Sequence, residues 1–290
     1  MPYFVAVVLS IIGLVIILRR ETPDERGLDK LLPFGRLFFA VPMAVFGAQH
    51  FTATVSIARM IPPWIPGHLF WTYLVGTCLI AAALSIVVKK CADLAATLLG
   101  IMLILFVVLM HFPNLIAHPS RFTLTIVLRE LSFSGGALAF AGTQTAQWRE
   151  RGEHIFITFG RFLIGIAAVF FGVENLLHPG FVPGVPLDRV TPAWIPGHLF
   201  WSYLAGVVLI GSGLGILLNK KARLAALCMG IMVLLLVLFV YLPIMAAVPF
   251  DIANGLNYFA DTLLFSGSAL LLAQALTQEV AEIVVVSSVS

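Results

Sequence analysis

Nine stretches of apolar sequence, each near the length that crosses a bilayer, leave this chain few choices of fold. The first runs from Tyr3 to Leu18, and eight more occupy roughly 31–52, 67–88, 91–112, 121–146, 154–177, 197–218, 222–247 and 252–276. About 20 apolar residues in a helix match the hydrocarbon thickness, and a helix satisfies its own backbone in lipid. Charged residues make up only 11% of the chain, against about 25% in soluble domains. The predicted class is an all-α membrane protein with about nine transmembrane helices. The first run has no basic segment before it and no small-residue cleavage site after it, so it reads as a retained anchor. A charged linker, RRETPDERGLDK, follows it at 19–30.

The remaining runs fall into two sets of four. WIPGHLFWTYLVG at 64–76 returns as WIPGHLFWSYLAG at 194–206, identical at eleven of thirteen positions with an offset of 130. Self-similarity of this quality marks an internal duplication. FGR at 34–36 returns at 159–161, offset by 125, and FSG at 133–135 returns at 265–267, offset by 132. The step from 125 to 130 places five extra residues in the Pro/Gly-rich loop HPGFVPGVPLDRVTP of the second repeat. The expected division is an anchor and linker at 1–30, a first four-helix repeat at 31–148, a second at 153–276, and a C-terminal tail at 277–290. An even number of helices per repeat gives both the same sense. The expected relation is therefore two parallel four-helix bundles about an axis along the membrane normal.

Charge sets the expected orientation. Of seventeen Lys and Arg, thirteen fall in alternate loops: Arg19, Arg20, Arg26, Lys30, Arg36, Lys89, Lys90, Arg149, Arg151, Arg161, Lys220, Lys221 and Arg223. Only Arg59, Arg121 and Arg189 lie on the other side, and Arg129 is within a helix. The positive-inside rule puts the thirteen in the cytoplasm, the N-terminus outside, the C-terminus inside and both WIPGH phrases outward. A bacterial inner membrane is the expected location. Six of the seven histidines, His50, His68, His111, His118, His178 and His198, then sit at or near the outer face. A net charge of +3 is too small to point to nucleic acid. Cys78, Cys91 and Cys228 form no CxxC pair, which argues against a disulfide framework or thiol relay.

Each repeat has an opening GR, a second helix with YLVG or YLAG, a basic turn and an Ala/Leu-rich third helix. The basic turns and third helices read VVKKCADLAATLLGIM and LLNKKARLAALCMGIM, and SFSGGALAFAG closes the first repeat. In these features, over about 31–148 and 154–276, the chain resembles the DoxX-like membrane proteins. Tyr73 and Tyr203 stand where that family often carries an acidic residue. The resemblance implies a tandem duplication of the four-helix unit and an association with quinone-linked redox chemistry or with redox and maturation enzymes.

Several side chains are candidates for chemistry. His68 and His198 sit in the first turn of a helix, where the dipole favours an anion or carbonyl oxygen nearby. Trp64, Trp71, Trp194 and Trp201 crowd them. Such residues suit an interfacial aromatic belt, or a site in which histidine donates to a quinone carbonyl between aromatic walls. No haem-attachment motif and no HxxxH spacing occurs, so no metal is expected. The first helices end in polar pairs, Gln49-His50 and Glu174-Asn175, and Glu174 reads either as a proton carrier or as a solvated helix end. Arg129 and Glu130 are intramembrane charges, and Asn254, Asn257 and Asp261 form a polar stripe at i, i+3 and i+7. The offset of 132 carries Arg129 onto Asp261, so an ion pair across the two-fold axis is predicted. A local partner for Arg129, Glu130 or Glu174, is the rival.

The expected function is a membrane component of a redox system, binding a quinone or similar lipophilic molecule near the extracytoplasmic face. No flavin, haem or thiol motif is present, so the electron donor is expected to be a partner protein, with the lipid bilayer as the other partner. The alternatives are a non-catalytic anchor or assembly partner of an extracytoplasmic enzyme, and a small-molecule transporter using the polar stripe. Oligomeric state has no signature in the sequence.

Overall fold

The computed structural model describes residues 1–20, 27–144, 153–185 and 187–289. Among them are nine helices long and apolar enough to cross a membrane, and no strand beyond one antiparallel bridge between Phe181 and Val190. The protein is an integral membrane protein of all-α class. The spans are built on α1 (Pro2–Arg20), α2 (Gly35–Thr52), α3 (His68–Val88), α4 (Ala92–Phe106), α5 (Arg121–Ala141), α6 (Glu153–Leu177), α7 (His198–Leu217), α8 (Ala222–Leu236) and α9 (Tyr258–Val289), the fourth and eighth running on to Ala117 and Ala247. Within the linker a 3-10 helix spans Gly27–Phe34, and Asp29 there pairs with Arg223 at 2.6 Å. Arg26, Arg149 and Arg151 lie outside the described residues. The tail expected at 277–290 continues the helix of α9 without a break as far as Val289.

The repeats interlock. Helices α2 to α9 pack in chain order around a ring, α9 closes it against α2, and α5 crosses the middle to touch α9. The first helix of each repeat thus packs on the last helix of the other as well as on the second helix of its own, with α1 outside against α2. Small residues permit these crossings, as expected where lipid removes any hydrophobic drive for helices to associate. A Cβ on Gly135 would stand 2.8 Å from the Gly160 carbonyl oxygen at α5–α6, and one on Gly267 would stand 2.5 Å from the Phe39 nitrogen at α9–α2. Ser134 donates to the Gly100 carbonyl at 2.9 Å, and its counterpart Ser266 donates to the Gly230 carbonyl at 2.8 Å.

Two contacts locate the pseudo-two-fold axis. Gly136 packs directly on its own counterpart Ser268, and Arg129 Nη1 donates to its counterpart Asp261 Oδ2 at 2.8 Å. Seven residues separate these points, about 10 Å along a helix. The predicted pair is present, and the local partner is present with it: Arg129 Nη2 donates to Glu130 Oε1 at 3.1 Å. Glu174 is not part of the cluster, since it faces Arg121 at 3.6 Å and His178 at 3.7 Å.

Both WIPGH phrases begin their helices in the same way, two residues after Pro66 and Pro196. Gly67 and Gly197 are the N-caps, with φ of 74° and 65°, so His68 and His198 are the first helical residues. A residue with Cβ disfavours that left-handed backbone, which explains the glycine. α4 and α8 each pass through one π turn, Val107–His111 and Val237–Tyr241, before continuing as Phe112–Ala117 and Leu242–Ala247. Pro113 and Pro243 sit just beyond, where a proline lacks the N–H that a regular α-helix needs. The Phe112 N–H reaches back to the Val107 carbonyl, five residues earlier.

Candidate functional site

The π turn re-aims one side chain, and that side chain faces a cavity. In the first repeat, His111 at the end of the turn lines a half-open space of about 720 Å³ bordered by α2, the segment before α3, α3, α4, α5, the start of α9 and Leu187. Its walls are mostly apolar: Met43, Phe46, Trp64, Trp71, Val75, Met102, Phe106, Phe133 and Leu264 all border it. A volume of this size suits a drug-sized or cofactor-sized molecule.

Polar groups gather at particular points. The cluster of Arg129, Glu130 and Asp261 borders the cavity, with side-chain exposures of 18%, 13% and 6%. Arg129 Nε is buried there without a hydrogen-bond partner. Such a group in low dielectric is costly unless something accepts from it. Gln49 Nε2 donates to Asn257 Oδ1 at 2.7 Å, tying α2 to the π turn Ile252–Asn257 that precedes α9. His50, His111, Thr72, Cys78 and Tyr258 also line the cavity. His50 Nδ1 lies 2.8 Å from the Phe46 carbonyl oxygen. A carbonyl only accepts, so Nδ1 carries the proton, and in the neutral ring Nε2 offers a lone pair.

The residues singled out from sequence are divided by the fold. Trp64 and Trp71 border the cavity, 66% and 42% exposed. His68 does not: its Nε2 lies 3.3 Å from the Pro62 carbonyl oxygen, closing its own loop. In the second repeat, Trp201 stacks on Phe239 with centroids 5.5 Å apart, Trp194 is exposed, and His198 is half-buried at its helix start. None of these three borders the first-repeat cavity. Nor does Glu174, which belongs to a separate group: Arg121 bonds Asp188 at 2.9 Å and lies 4.3 Å over the Phe181 ring. The stripe on the last helix is broken by its π turn. Asn257 and Asp261 reach the cavity, whereas Asn254 is exposed and bonded to Asp251.

His50 and His111, grouped by sequence with the histidines of one face and given no role there, both line the cavity. The signal for His111 was a proline two residues beyond it inside an apolar run, HFP, echoed as YLP in the second repeat. π turns are frequent at functional sites because they redirect side chains. Among the described residues no group of three or more His, Cys, Asp or Glu could hold a metal ion. No known protein family, curated protein or solved structure matches the chain.

Proposed function

We propose that this protein is a membrane component of a redox system and binds a quinone or similar lipophilic molecule in the cavity of its first repeat. The observation that carries the reading is an apolar cavity within the membrane-spanning helices that ends on a buried Arg129–Glu130–Asp261 cluster. Intramembrane charges are expensive, and they persist where a pathway or ligand uses them. Trp64 and Trp71 supply aromatic wall, and His111 and Arg129 supply polar contacts to a ring oxygen. Glu130 and Asp261 share one guanidinium, so the cluster is neutral with one added proton and carries one negative charge without it. A group of that kind suits a reaction in which a proton accompanies electron transfer. The electron donor is a partner protein.

The excess of Lys and Arg in alternate loops supports a bacterial inner membrane with the N-terminus outside, the C-terminus in the cytoplasm and the cavity toward the extracytoplasmic face. Cysteines placed at Thr54 and Asp188 should then react with an impermeant thiol reagent on intact cells, and one at Glu153 should not.

The central experiment is titration of the gently purified full chain with a short-tailed benzoquinone, read by tryptophan fluorescence, beside mass spectrometry of an organic extract. Binding should quench Trp64 and Trp71. Val75→Trp, which fills the cavity, should abolish it, and His111→Ala should weaken it up to about tenfold through one lost hydrogen bond. Undiminished binding in Val75→Trp would remove the cavity from the proposal.

A further inference from the structure

The five extra residues of the second repeat fold inward. Val182, Val185 and Leu187 are buried to 0%, 0% and 1% exposure, so the tip of the loop between α6 and α7 is core, while Asp188, Val190 and Trp194 stay at the surface. It is fastened by Val182 N–H to the Arg189 carbonyl, by Thr191 N–H to the Gly180 carbonyl, and by Arg121 over Phe181. Its tip meets residues whose counterparts matter. Tyr241 Oη donates to the Pro183 carbonyl at 2.6 Å, and the Gly184 N–H donates to Asn175 Oδ1 at 3.2 Å. Asn175 Nδ2 donates in turn to the Gly184 carbonyl at 3.0 Å and to the Phe171 carbonyl at 2.6 Å. A Cβ on Gly184 would touch Leu236 at 3.0 Å and Thr262 at 3.7 Å.

Under the internal offsets, Tyr241 corresponds to His111, Asn175 to His50, Leu236 to Phe106 and Thr262 to Glu130. All four counterparts border the open cavity. The likeness extends to bonding. Asn175 donates to the Phe171 carbonyl as His50 donates to the Phe46 carbonyl, and Phe171 is the counterpart of Phe46. The Pro183 carbonyl and the Gly184 N–H are the two ends of one peptide group. That group is held from one side by a donor and from the other by an acceptor.

We infer that the second repeat is a ligand site occupied by its own backbone, and that the first-repeat cavity takes a lipophilic molecule whose polar head both accepts a hydrogen bond from His111 and donates one to His50. A hydroxyl, as in a reduced quinol, and a secondary amide each have this character. A fully oxidised quinone has only acceptors. His50 is suited to the acceptor role because its Nδ1 proton is committed to Phe46, which leaves Nε2 for the incoming donor. The inference rests on the reading of the cavity as a ligand site and narrows what that site prefers.

The test uses the full chain in detergent under anaerobic conditions and four probes with the same short alkyl tail: a benzoquinol, its dimethyl ether, the corresponding quinone and a secondary amide. The quinol or the amide should bind about tenfold more tightly than the dimethyl ether and the quinone, one hydrogen bond being worth up to that factor. His50→Leu should erase the preference for quinol over ether while tail binding persists. Quinol favoured over amide identifies the hydroxyl class, and the reverse identifies the amide class. Equal binding of all four probes would overturn the inference and leave the cavity reading standing. No binding of any probe would bring down both.

Discussion

One repeat holds a cavity and the other holds a loop in its place. Around both, the framework is the same: glycine-capped second helices, a π turn two residues before a proline, and serines bonded to the Gly100 and Gly230 carbonyls. What differs is five inserted residues and a few lining side chains, His50 against Asn175, His111 against Tyr241 and Glu130 against Thr262. Those changes convert space into core, since the Pro183–Gly184 peptide satisfies Tyr241 and Asn175 and brings Val182 and Val185 out of water. A duplicated membrane fold can thus keep one half as a binding site and use the other as scaffold. The constraint on the filled half is that every buried polar group must find a partner.

The largest expected effect lies on the axis between the halves, where equivalent positions carry opposite charges. Arg129→Ala and Asp261→Ala should each lower thermal stability in detergent by the equivalent of about 3–5 kcal/mol, because each strands a buried charge. Exchanging the pair, Arg129→Asp with Asp261→Arg, should restore part of the loss. It should not restore all, since Glu130 then faces a carboxylate. Strictly additive losses in the double-mutant cycle would mean that the pair does not couple the repeats.

A smaller effect separates the filled half from the open one. Tyr241→Phe leaves the buried Pro183 carbonyl without its donor and should cost about 1–3 kcal/mol of stability. The counterpart change, His111→Phe, touches no such bond and should leave stability nearly unchanged while weakening ligand binding. If thermal melts of the two variants shift equally, the contrast between scaffold and site fails.

The smallest effect concerns the turns that start the last helix of each repeat. Ser120 caps α5 through a neutral hydroxyl, in a reciprocal box with Thr123. Asp251 caps the π turn before α9, and the Asn254 N–H on its carboxylate holds its pKa below the ordinary 3.8. A depressed carboxylate stabilises the folded state above its unfolded pKa and loses that contribution as pH falls through the folded value. The second-repeat cap should therefore loosen below about pH 4, while the first stays intact. Amide hydrogen exchange at Asn254 and at Thr123, followed from pH 5 downward, tests this, and a parallel response at both sites would refute it.

Much of the architecture was legible in the chain. Run length against bilayer thickness gave the spans, because a helix in lipid needs nothing from its neighbours to satisfy its backbone. Repetition with a measurable offset gave the equivalence of Arg129 and Asp261, and the cost of lone charges in a membrane gave their pairing. The histidines were a different matter. His68 lies in the most repeated phrase of the sequence, yet repetition there reflects a shared helix start, with Gly67 and Gly197 as caps. His111, unremarkable in sequence, borders the cavity together with His50.

Which helix faces which was decided only in three dimensions. Apolar runs carry little partner information, since lipid is as good a neighbour as leucine, and the pairing comes from where small residues let backbones approach. That is why α2 rests on the last helix of the other repeat, through Gly35 and Gly267. The inward path of the 178–192 loop was equally hidden, because its Pro/Gly content signals a turn without saying what lies beneath. By itself the sequence determined the membrane helices, the duplication and the central ion pair, all of which follow from local length, repetition and charge. The tertiary structure alone decided that one copy of the repeat closes on its own backbone and the other stays open, because that depends on volume left between helices distant in the chain.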